Sequence, residues 1–283
     1  MLILLSYLFY FIAASASPLQ RRWLATRKNK NNTGQINLAF QVALITVIFS
    51  LLLPIFKPFY LQGDPFTLIV LTLISGIFGA GYFICFYTAQ KFVEAGISTL
   101  VNNIYTPITI VLATLFLNEK LTIMQIFGTA LLLVGMVIVS KQHRIGKFKF
   151  DKYFMLMVLS GVMLGVSLTA ERALQKETGF TAGTMFSWWS QCAFLGIVTL
   201  ATKNKNEYSK KDIAITGVLR FFQSLSWVIL IFSVGNLSLV SAITTFKIVI
   251  IFIAAAIFLN EREDLLRKVI GSFVALAGLL LMK

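Results

Sequence analysis

Ten runs of mostly apolar residues, separated by short polar connectors, dominate the sequence. They cover residues 2–17, 37–56, 66–89, 97–117, 122–140, 153–170, 181–202, 213–234, 238–259 and 265–282. A helix of about 20 apolar residues spans the hydrocarbon core of a bilayer, whereas an isolated strand in lipid would leave its backbone polar groups unpaired. The sequence therefore predicts an all-α integral membrane protein with ten transmembrane helices.

Composition and charge exclude the other broad classes of protein. The chain is 58% hydrophobic and 13% charged, with a mean hydropathy of +0.84, whereas soluble domains carry roughly a quarter charged residues. The net charge of +14 comes mostly from Lys and Arg in the short connectors, and no basic stripe alternates with aromatic residues. We therefore expect a lipid bilayer around the protein and no nucleic-acid partner.

Residues that build catalytic or metal centres are scarce. Cys85 and Cys192 lie inside apolar runs without zinc-ligand spacing, and His143 is the only histidine. The 11 acidic residues lie nearly all in connectors, and the chain has no G-x-x-x-x-G-K-[ST] phosphate loop. We expect no metal, no cofactor and no enzymatic activity, and ATP hydrolysis by this chain is excluded.

Two stretches of the sequence are near copies of each other. LFLNEKLTIMQIFGTALLLVG, at residues 115–135, recurs as IFLNEREDLLRKVIGSFVALAG at residues 257–278. Aligning the two Leu-Asn-Glu triplets, with one inserted residue, superposes Gly128 and Gly135 on Gly271 and Gly278. The first apolar run also resembles the sixth.

This duplication predicts two homologous halves of five helices each. Residues 1–140 form the first repeat, residues 141–152 a basic connector, and residues 153–283 the second repeat. Because five is odd, the second half must enter the membrane from the opposite face. Two inverted repeats around a central cavity are typical of secondary transporters that alternate access to a midplane site.

Each copy of the repeated stretch contains an Asn-Glu pair, which we expect to form a turn at the membrane surface. Asn118 can cap the following helix, where Glu119 suits the exposed N–H groups, and Asn260 and Glu261 form the corresponding turn in the second copy. The alternative is that the two glutamates are proton or gate carboxylates, but their position at the interface favours the structural role. The glycine pairs share one helix face, where a neighbouring helix can approach closely.

Pro107 in the fourth run, followed by these two stretches, resembles the drug/metabolite transporter superfamily, and within it the EamA-type two-repeat transporters. The resemblance covers essentially the whole chain. It implies a ten-helix fold with a central cavity and transport of small molecules, often as export, by proton-coupled or exchange mechanisms. The chain departs from the pattern at Val249, which stands where the first copy has Pro107, and in the long basic connector after the first helix.

The distribution of positive charge bears on orientation. Most of the 25 Lys and Arg residues lie in the connectors after helices one, three, five, seven and nine, which places those connectors in the cytoplasm and both termini outside. The family resemblance implies the reverse. We expect both termini on one face of a multi-pass protein in the plasma membrane of a prokaryote, and the choice of face stays open.

Two cations lie inside apolar runs. Lys247 is about 13 Å, and Arg220 about 10 Å, along its helix at 1.5 Å per residue. Ionisable groups at such depth are costly and mark candidate sites, and two cations in one cavity would suit a carboxylate, a phosphate or the acid end of an amino acid. The alternatives are that Arg220 extends to the interface and that Lys247 bonds to backbone carbonyls.

Polar and aromatic residues at similar depth complete the candidate substrate site. Pro107 removes one backbone hydrogen bond and predicts a kink and a hinge in the fourth helix. Glu171 and Arg172 are expected to end the sixth helix and to pair with neighbours at the surface. The candidate substrate-binding residues are Lys247, Arg220, Asn102, Asn103, Tyr105, Gln223 and Trp227.

The sequence thus predicts a secondary transporter of small metabolites, as an exporter or exchanger, with an anionic or amino-acid-like substrate. The alternative is a membrane-embedded lipid-handling protein, either a flippase or an enzyme. Because no acidic residue is evident in mid-span, facilitated transport or exchange is slightly favoured over proton antiport. Two fused halves already enclose a cavity, so a monomer suffices, with a homodimer as the alternative.

Overall fold

The computed structural model describes residues 2–28, 34–116, 122–140, 152–203, 205, 207–234, 247–261 and 264–281. Every regular element within these ranges is a helix. In chain order the helices are α1 Leu2–Lys28, α2 Gln35–Ser50, α3 Leu53–Phe56, α4 Pro65–Ala89, α5 Ala95–Asn102, α6 Tyr105–Phe116, α7 Ile123–Ser140, α8 Lys152–Thr178, α9 Phe180–Ala201, α10 Lys210–Val234, α11 Lys247–Phe258 and α12 Leu265–Leu281.

Four helical segments in the described part of the chain are long and apolar enough to cross a membrane. They are Gln35–Phe56, Pro65–Ala89, Ala95–Leu112 and Lys152–Thr178. Large apolar side chains such as Ile55, Phe66 and Leu200 are exposed on the outside of the bundle, where lipid can cover them. The fold is therefore all-α, as predicted, and suits a membrane protein.

The first helix is longer than the apolar run predicts. The apolar run ends at residue 17, but α1 is 27 residues long and contains Pro18. The Arg21 side chain is 4% exposed and its guanidinium carbon lies 4.9 Å from the centre of the Phe86 ring and 5.1 Å from that of Tyr87. The Pro18 carbonyl accepts a 3.1 Å hydrogen bond from Gln90. These contacts with the end of α4 stabilise polar residues that hydropathy alone places outside the helix.

The fourth apolar run forms two helices, α5 and α6, which are separated by Asn103 and Ile104. Pro107 has no N–H to donate to the carbonyl of Asn103, four residues earlier. That carbonyl instead accepts from the N–H of Thr106 at 3.0 Å. The expected disturbance is therefore present, and it interrupts the helix one turn before the proline.

The long helices pack in a small number of extensive pairs. α4 packs against α8 and α9, while α1 and α2 both pack against α10. α2 also packs against α9, α6 against α8, α1 against α11, and α7 against α12. The main buried apolar cluster lies mostly between α2, α4, α8 and α9, so the interior of the bundle is formed by helices from both parts of the sequence.

The contact between α7 and α12 is a backbone contact made through glycines. A Cβ atom at Gly135 would lie 2.6 Å from the carbonyl oxygen of Gly271 and 2.6 Å from the backbone nitrogen of Ala275. A Cβ at Gly278 would lie 2.5 Å from the carbonyl oxygen of Gly128. The prediction that these glycines allow close helix approach is confirmed, and the helix that approaches carries the other copy of the same stretch.

The second Asn-Glu pair lies in a turn, with contacts that the sequence did not suggest; Asn118 and Glu119 lie outside the described residues. Asn260 has a φ of +60° and follows α11, which ends at Phe258, and the N–H of Glu261 donates to the Ala255 carbonyl at 3.3 Å. The next helix begins only at Leu265. Asn260 and Glu261 therefore lie between two helices, and Glu261 is not the first residue of the second one.

Candidate substrate site between α1, α6, α10 and α11

Lys247, the first described residue of α11, lies in the interior of the bundle. Its Nζ donates a 2.8 Å hydrogen bond to the hydroxyl of Tyr10 on α1. Tyr82 of α4 and Tyr105 of α6 lie near the ammonium. Protein surrounds Lys247, although the residue as a whole is only partly buried. The hydroxyl partner and the neighbouring tyrosines indicate an ammonium that faces the protein interior and not lipid.

One face of α10 turns toward the same region. Arg220, Gln223 and Trp227 are spaced three and four residues apart and therefore share a helix face. The Trp227 and Tyr10 ring centres are 5.7 Å apart, and the Arg220 guanidinium carbon lies 5.4 Å from the centre of the Phe83 ring. The Oε1 atom of Gln223 is buried without a hydrogen-bond partner in the described part of the protein. This face offers a positive charge, an unused acceptor and a large ring.

A small cavity adjoins this face. Its volume is about 30 Å³, which is room for about two water molecules. Its polar wall combines the Arg220 side chain with Thr46 of α2 and Gln191 of α9, and the remaining lining residues are Ala43, Phe83, Trp188 and Ser224. The cavity is therefore large enough to hold water beside Arg220.

Asn102 and Asn103 make their hydrogen bonds elsewhere. Asn102 accepts from the hydroxyl of Ser160 on α8 at 3.3 Å. Asn103, which is buried, donates from its side-chain nitrogen to the Thr99 carbonyl at 2.9 Å. The structure thus brings Lys247, Arg220, Tyr105 and Trp227 toward one region, and the two asparagines stabilise the interruption between α5 and α6.

The structure corrects the expectation for Glu171. Helix α8 continues to Thr178, and Glu171 is buried, with 8% of its surface exposed. The Ser187 hydroxyl of α9 donates to the Glu171 carboxylate at 2.8 Å and contacts the Ser75 hydroxyl of α4 at 2.7 Å. Gln191 donates to the Ser187 hydroxyl at 2.9 Å. Hydropathy along α8 does not indicate that Glu171 is buried, because its partners come from other helices.

A sequence signal for this burial does exist. Ser167, Glu171, Gln175 and Thr178 follow each other at intervals of four, four and three residues, which is the spacing of one helix face. Ser167 also takes part in the network, because its hydroxyl donates to the Ser75 carbonyl at 3.0 Å. A polar face on a helix that is otherwise apolar points into the protein when lipid surrounds the bundle.

Comparison with known proteins assigns the chain to a family. Residues 1–141 match the sequence model of the EamA-like transporter family. The chain belongs to this family. The EamA-like transporters are part of the drug/metabolite transporter superfamily, so the protein is an integral, multi-pass membrane transporter of small molecules. No curated protein matches the sequence.

The fold of this EamA-like transporter is also found in a solved structure. A chain described only as the crystal structure of a protein superposes with a TM-score of 0.64 at 13% identity. The match covers 98% of this chain and 94% of the other. At that identity, the likeness concerns the fold alone, and it extends over nearly the whole of both chains.

Two pairs of opposite charges connect helices at the other end of the EamA-like transporter. Glu261 accepts from the Arg22 side chain of α1 at 2.8 Å and from the backbone N–H of Ala95, the first residue of α5, at 3.0 Å. Lys268 of α12, with 3% of its surface exposed, forms an ion pair with Glu94. Glu261 therefore serves the N-terminus of α5, and α12 is not the helix it caps.

The described residues contain no group of three His, Cys, Asp or Glu side chains that could hold a metal ion. Within the described ranges, the polar groups of the interior include an ammonium, a guanidinium, hydroxyls, amides and the carboxyl of Glu171. These groups can bind an organic anion and a proton.

Proposed function

We propose that the protein is a secondary transporter built from two inverted five-helix repeats, and that it exports or exchanges small anionic or amino-acid-like metabolites across the plasma membrane of a prokaryote. Lys247 is the residue on which this proposal depends most. The ammonium offers three donors, and the described structure shows one hydrogen bond, to Tyr10. The remaining donors suit a carboxylate or phosphate oxygen.

The pattern of helix packing supports the proposed repeat. In that scheme, α1 corresponds to α8, α2 to α9, α4 to α10, and α7 to α12. If each helix is replaced by its counterpart, the observed α4–α8 contact becomes α10–α1, which is also observed. In the same way α4–α9 becomes α10–α2, which is observed as well. The α2–α9 and α7–α12 pairs convert into themselves. A pseudo-twofold axis in the membrane plane accounts for this exchange.

The glycine contacts support the same axis in more detail. Gly135 meets Gly271, and Gly128 meets Gly278. The first glycine of one copy therefore contacts the second glycine of the other, in both directions. Residues 1–140 and 153–283 form the two repeats in this proposal, with 141–152 as the connector between them.

The substrate class follows from charge and from the surrounding rings. No acidic residue within 4 Å of Lys247 or Arg220 neutralises either cation in the described part of the chain. Tyr10 and Trp227 add flat apolar surfaces beside the ammonium. A small organic anion would provide both the missing negative charge and an apolar body, and Tyr105 and Gln223 would add hydrogen bonds.

Alternating access requires a part of the bundle that can bend. The interruption at Asn103 and Ile104, with Pro107 one turn beyond, leaves α5 and α6 as two short helices next to Tyr105. We assign the hinge to this interruption because the missing backbone hydrogen bond lowers the cost of bending there.

The experiment is transport by purified protein in proteoliposomes. Counterflow is measured with pooled radiolabelled amino acids, organic acids and phosphorylated metabolites, for wild type, Lys247→Gln and Lys247→Ala. Lys210→Gln, which removes an exposed lysine at the start of α10, is the matched control. We expect one anionic pool to exchange in wild type and the control, and to lose at least about tenfold in rate in both Lys247 variants, as loss of a charged hydrogen bond predicts.

Size-exclusion chromatography of each variant separates lost binding from lost folding. If Lys247→Gln folds and exchanges the anionic pool at the wild-type rate, Lys247 does not bind the substrate and the proposed anionic class is wrong. If wild type exchanges only the cationic or neutral members of the pools, the same conclusion follows.

A further inference from the structure

We propose that Glu171 is the group through which this transporter binds and releases a proton during its transport cycle. The inference rests on the proposed transport function and deepens it, because that proposal leaves the coupling ion open. It also revises the sequence-based preference for uncoupled exchange, which assumed that no carboxyl lies inside the membrane.

The depth of Glu171 is the first observation. The residue lies seven positions before Thr178, where α8 ends, and therefore about 10 Å from the turn at 1.5 Å per residue. Ser187 lies at a matching depth, seven positions after Phe180, where α9 begins. A carboxyl at this depth with 8% of its surface exposed is not at the membrane surface. Charged groups are rarely buried there unless they carry a function.

The second observation is the kind of partner that Glu171 has. No lysine or arginine of the described chain lies within 4 Å of its carboxyl group. Its hydrogen-bond partner is instead the neutral hydroxyl of Ser187. Arg220 lies farther away, in the wall of the cavity that Gln191 also lines. The carboxyl is therefore not held by a fixed cation, and no ion pair prevents it from taking up a proton.

The other helices packed against α8 bring no charge to Glu171. From α4 the titratable groups are Tyr82, Cys85 and Tyr87, from α6 Tyr105, and from α9 Cys192, while α5 has none. On α8 itself, Arg172, Lys176 and Glu177 follow Glu171 toward the helix end. Within the described chain, none of these side chains is hydrogen-bonded or ion-paired to the Glu171 carboxyl. Arg220 is therefore the charge whose approach or withdrawal would alter proton binding.

The third observation is that hydroxyl groups can serve both states of the acid. Ser187 donates to the carboxylate, and it also contacts the Ser75 hydroxyl at a distance where either oxygen can be the donor. When Glu171 gains a proton, its O–H can donate to Ser187, which then donates to Ser75. The serines therefore need only rotate their O–H bonds. A lysine in their place would donate only and would fix the carboxylate.

A route to water completes the site. Gln191 donates to the hydroxyls of Ser187 and Ser167, and it also lines the water-sized cavity beside Arg220. The carboxyl is thus separated from the cavity by the Ser187 and Gln191 side chains. The proton joins a carboxylate oxygen of Glu171 and leaves from the same atom, so the step needs no redox partner.

The test compares proton-driven transport with exchange in the same proteoliposomes. The probe is the labelled amino-acid and organic-acid pool, with and without an imposed pH gradient, for wild type, Glu171→Gln and the control Glu177→Gln, which changes an exposed acid of α8. One coupled proton allows up to about tenfold accumulation per pH unit. We expect this accumulation in wild type and the control, and none in Glu171→Gln, which should still exchange label without a gradient.

Accumulation by Glu171→Gln equal to that of wild type would overturn the inference, as would a wild-type response to a Na⁺ gradient instead of a pH gradient. A readout that needs no substrate keeps the two proposals distinguishable. The infrared band of a protonated carboxyl is followed against pH in purified protein, and we expect one titrating band to disappear in Glu171→Gln. If every titrating band persists in Glu171→Gln, the proton site is refuted. If one band is lost but the wild-type protein transports none of the labelled pools, only the proposed function is refuted.

Ser187→Ala provides a second variant in case Glu171→Gln fails to fold. Ser187 is a positioning residue, and removing its hydroxyl takes a hydrogen bond from the carboxylate but leaves the acid in place. The infrared titration should move to higher pH, because the ionised form loses a donor. An unchanged titration would show that the titrating carboxyl is not the one beside Ser187.

Discussion

Replacing Gly135 by alanine tests the backbone contact between α7 and α12. The added Cβ would lie 2.6 Å from the Ala275 nitrogen, the Ala275 Cβ and the Gly271 carbonyl oxygen. Two of these atoms belong to the backbone and cannot rotate away. Ordinary contact requires about 3.5 Å, so the helices must separate by roughly 1 Å at this point. Overpacking of this kind costs about 1–3 kcal/mol of the free energy of unfolding.

Gly196→Ala is the matched control for this substitution. Its Cβ would meet the edge of the Phe40 ring at 3.0 Å, and that side chain can turn aside. We expect the control to lie within about 1 kcal/mol of wild type, because a helical Gly→Ala change itself stabilises by roughly 0.5–1 kcal/mol and the ring has to move only slightly. The measurement is unfolding by sodium dodecyl sulfate in mixed micelles, followed by far-ultraviolet circular dichroism. Equal stability of the Gly135 and Gly196 variants would refute the close contact.

Two further predictions concern groups at the helix ends. Glu261→Gln should lower the free energy of unfolding by about 1.5–3 kcal/mol, because it removes the charge from the hydrogen bonds to Arg22 and Ala95. A double-mutant cycle with Arg22→Gln checks this prediction, and additive losses of stability would contradict it. Hydrogen bonds from Thr67 hold the pKa of Asp64 below its ordinary value, so the stability that the carboxylate adds is present above the ordinary pKa and is lost as pH falls through the lowered one. Thermal unfolding of Asp64→Asn should therefore depend less on acid pH than that of wild type, and an unchanged dependence would assign the acid loss to other groups.

The sequence predicts the helices well where the deciding interactions are local. Apolar runs indicate helices because length and hydropathy act within one segment. The disturbance before Pro107 follows from a single missing N–H, and the role of Gly135 and Gly278 follows from their repetition. In the first two cases the interacting atoms lie within a few residues of each other in the chain. In the third, the repetition of the glycines in the second copy marks their positions as important.

The sequence predicts less where partners come from distant segments. The end of α1 is stabilised by Arg21 on two aromatic rings of α4, which no reading of residues 2–28 alone reveals. Glu171 resembles a surface residue until Ser75 and Ser187 are placed beside it. The tendency of Lys247 and Arg220 to face one region depends likewise on how α10 and α11 pack. Hydropathy describes how well one segment suits a lipid environment, whereas these sites depend on how several segments pack against each other.

The hydrogen bond between Ala95 and Glu261 links residues that are 166 positions apart in the chain. A ribosome adding about 5–20 residues per second completes that interval in roughly 10–30 s. During this time α5 has already been synthesised, but the carboxylate that serves its first N–H does not yet exist. Until Glu261 is made, the N-terminus of α5 therefore lacks this hydrogen-bond acceptor. The N-terminus of α5 gains this partner only after the ninth apolar run has been made, and the helix that packs on α7 is made later still.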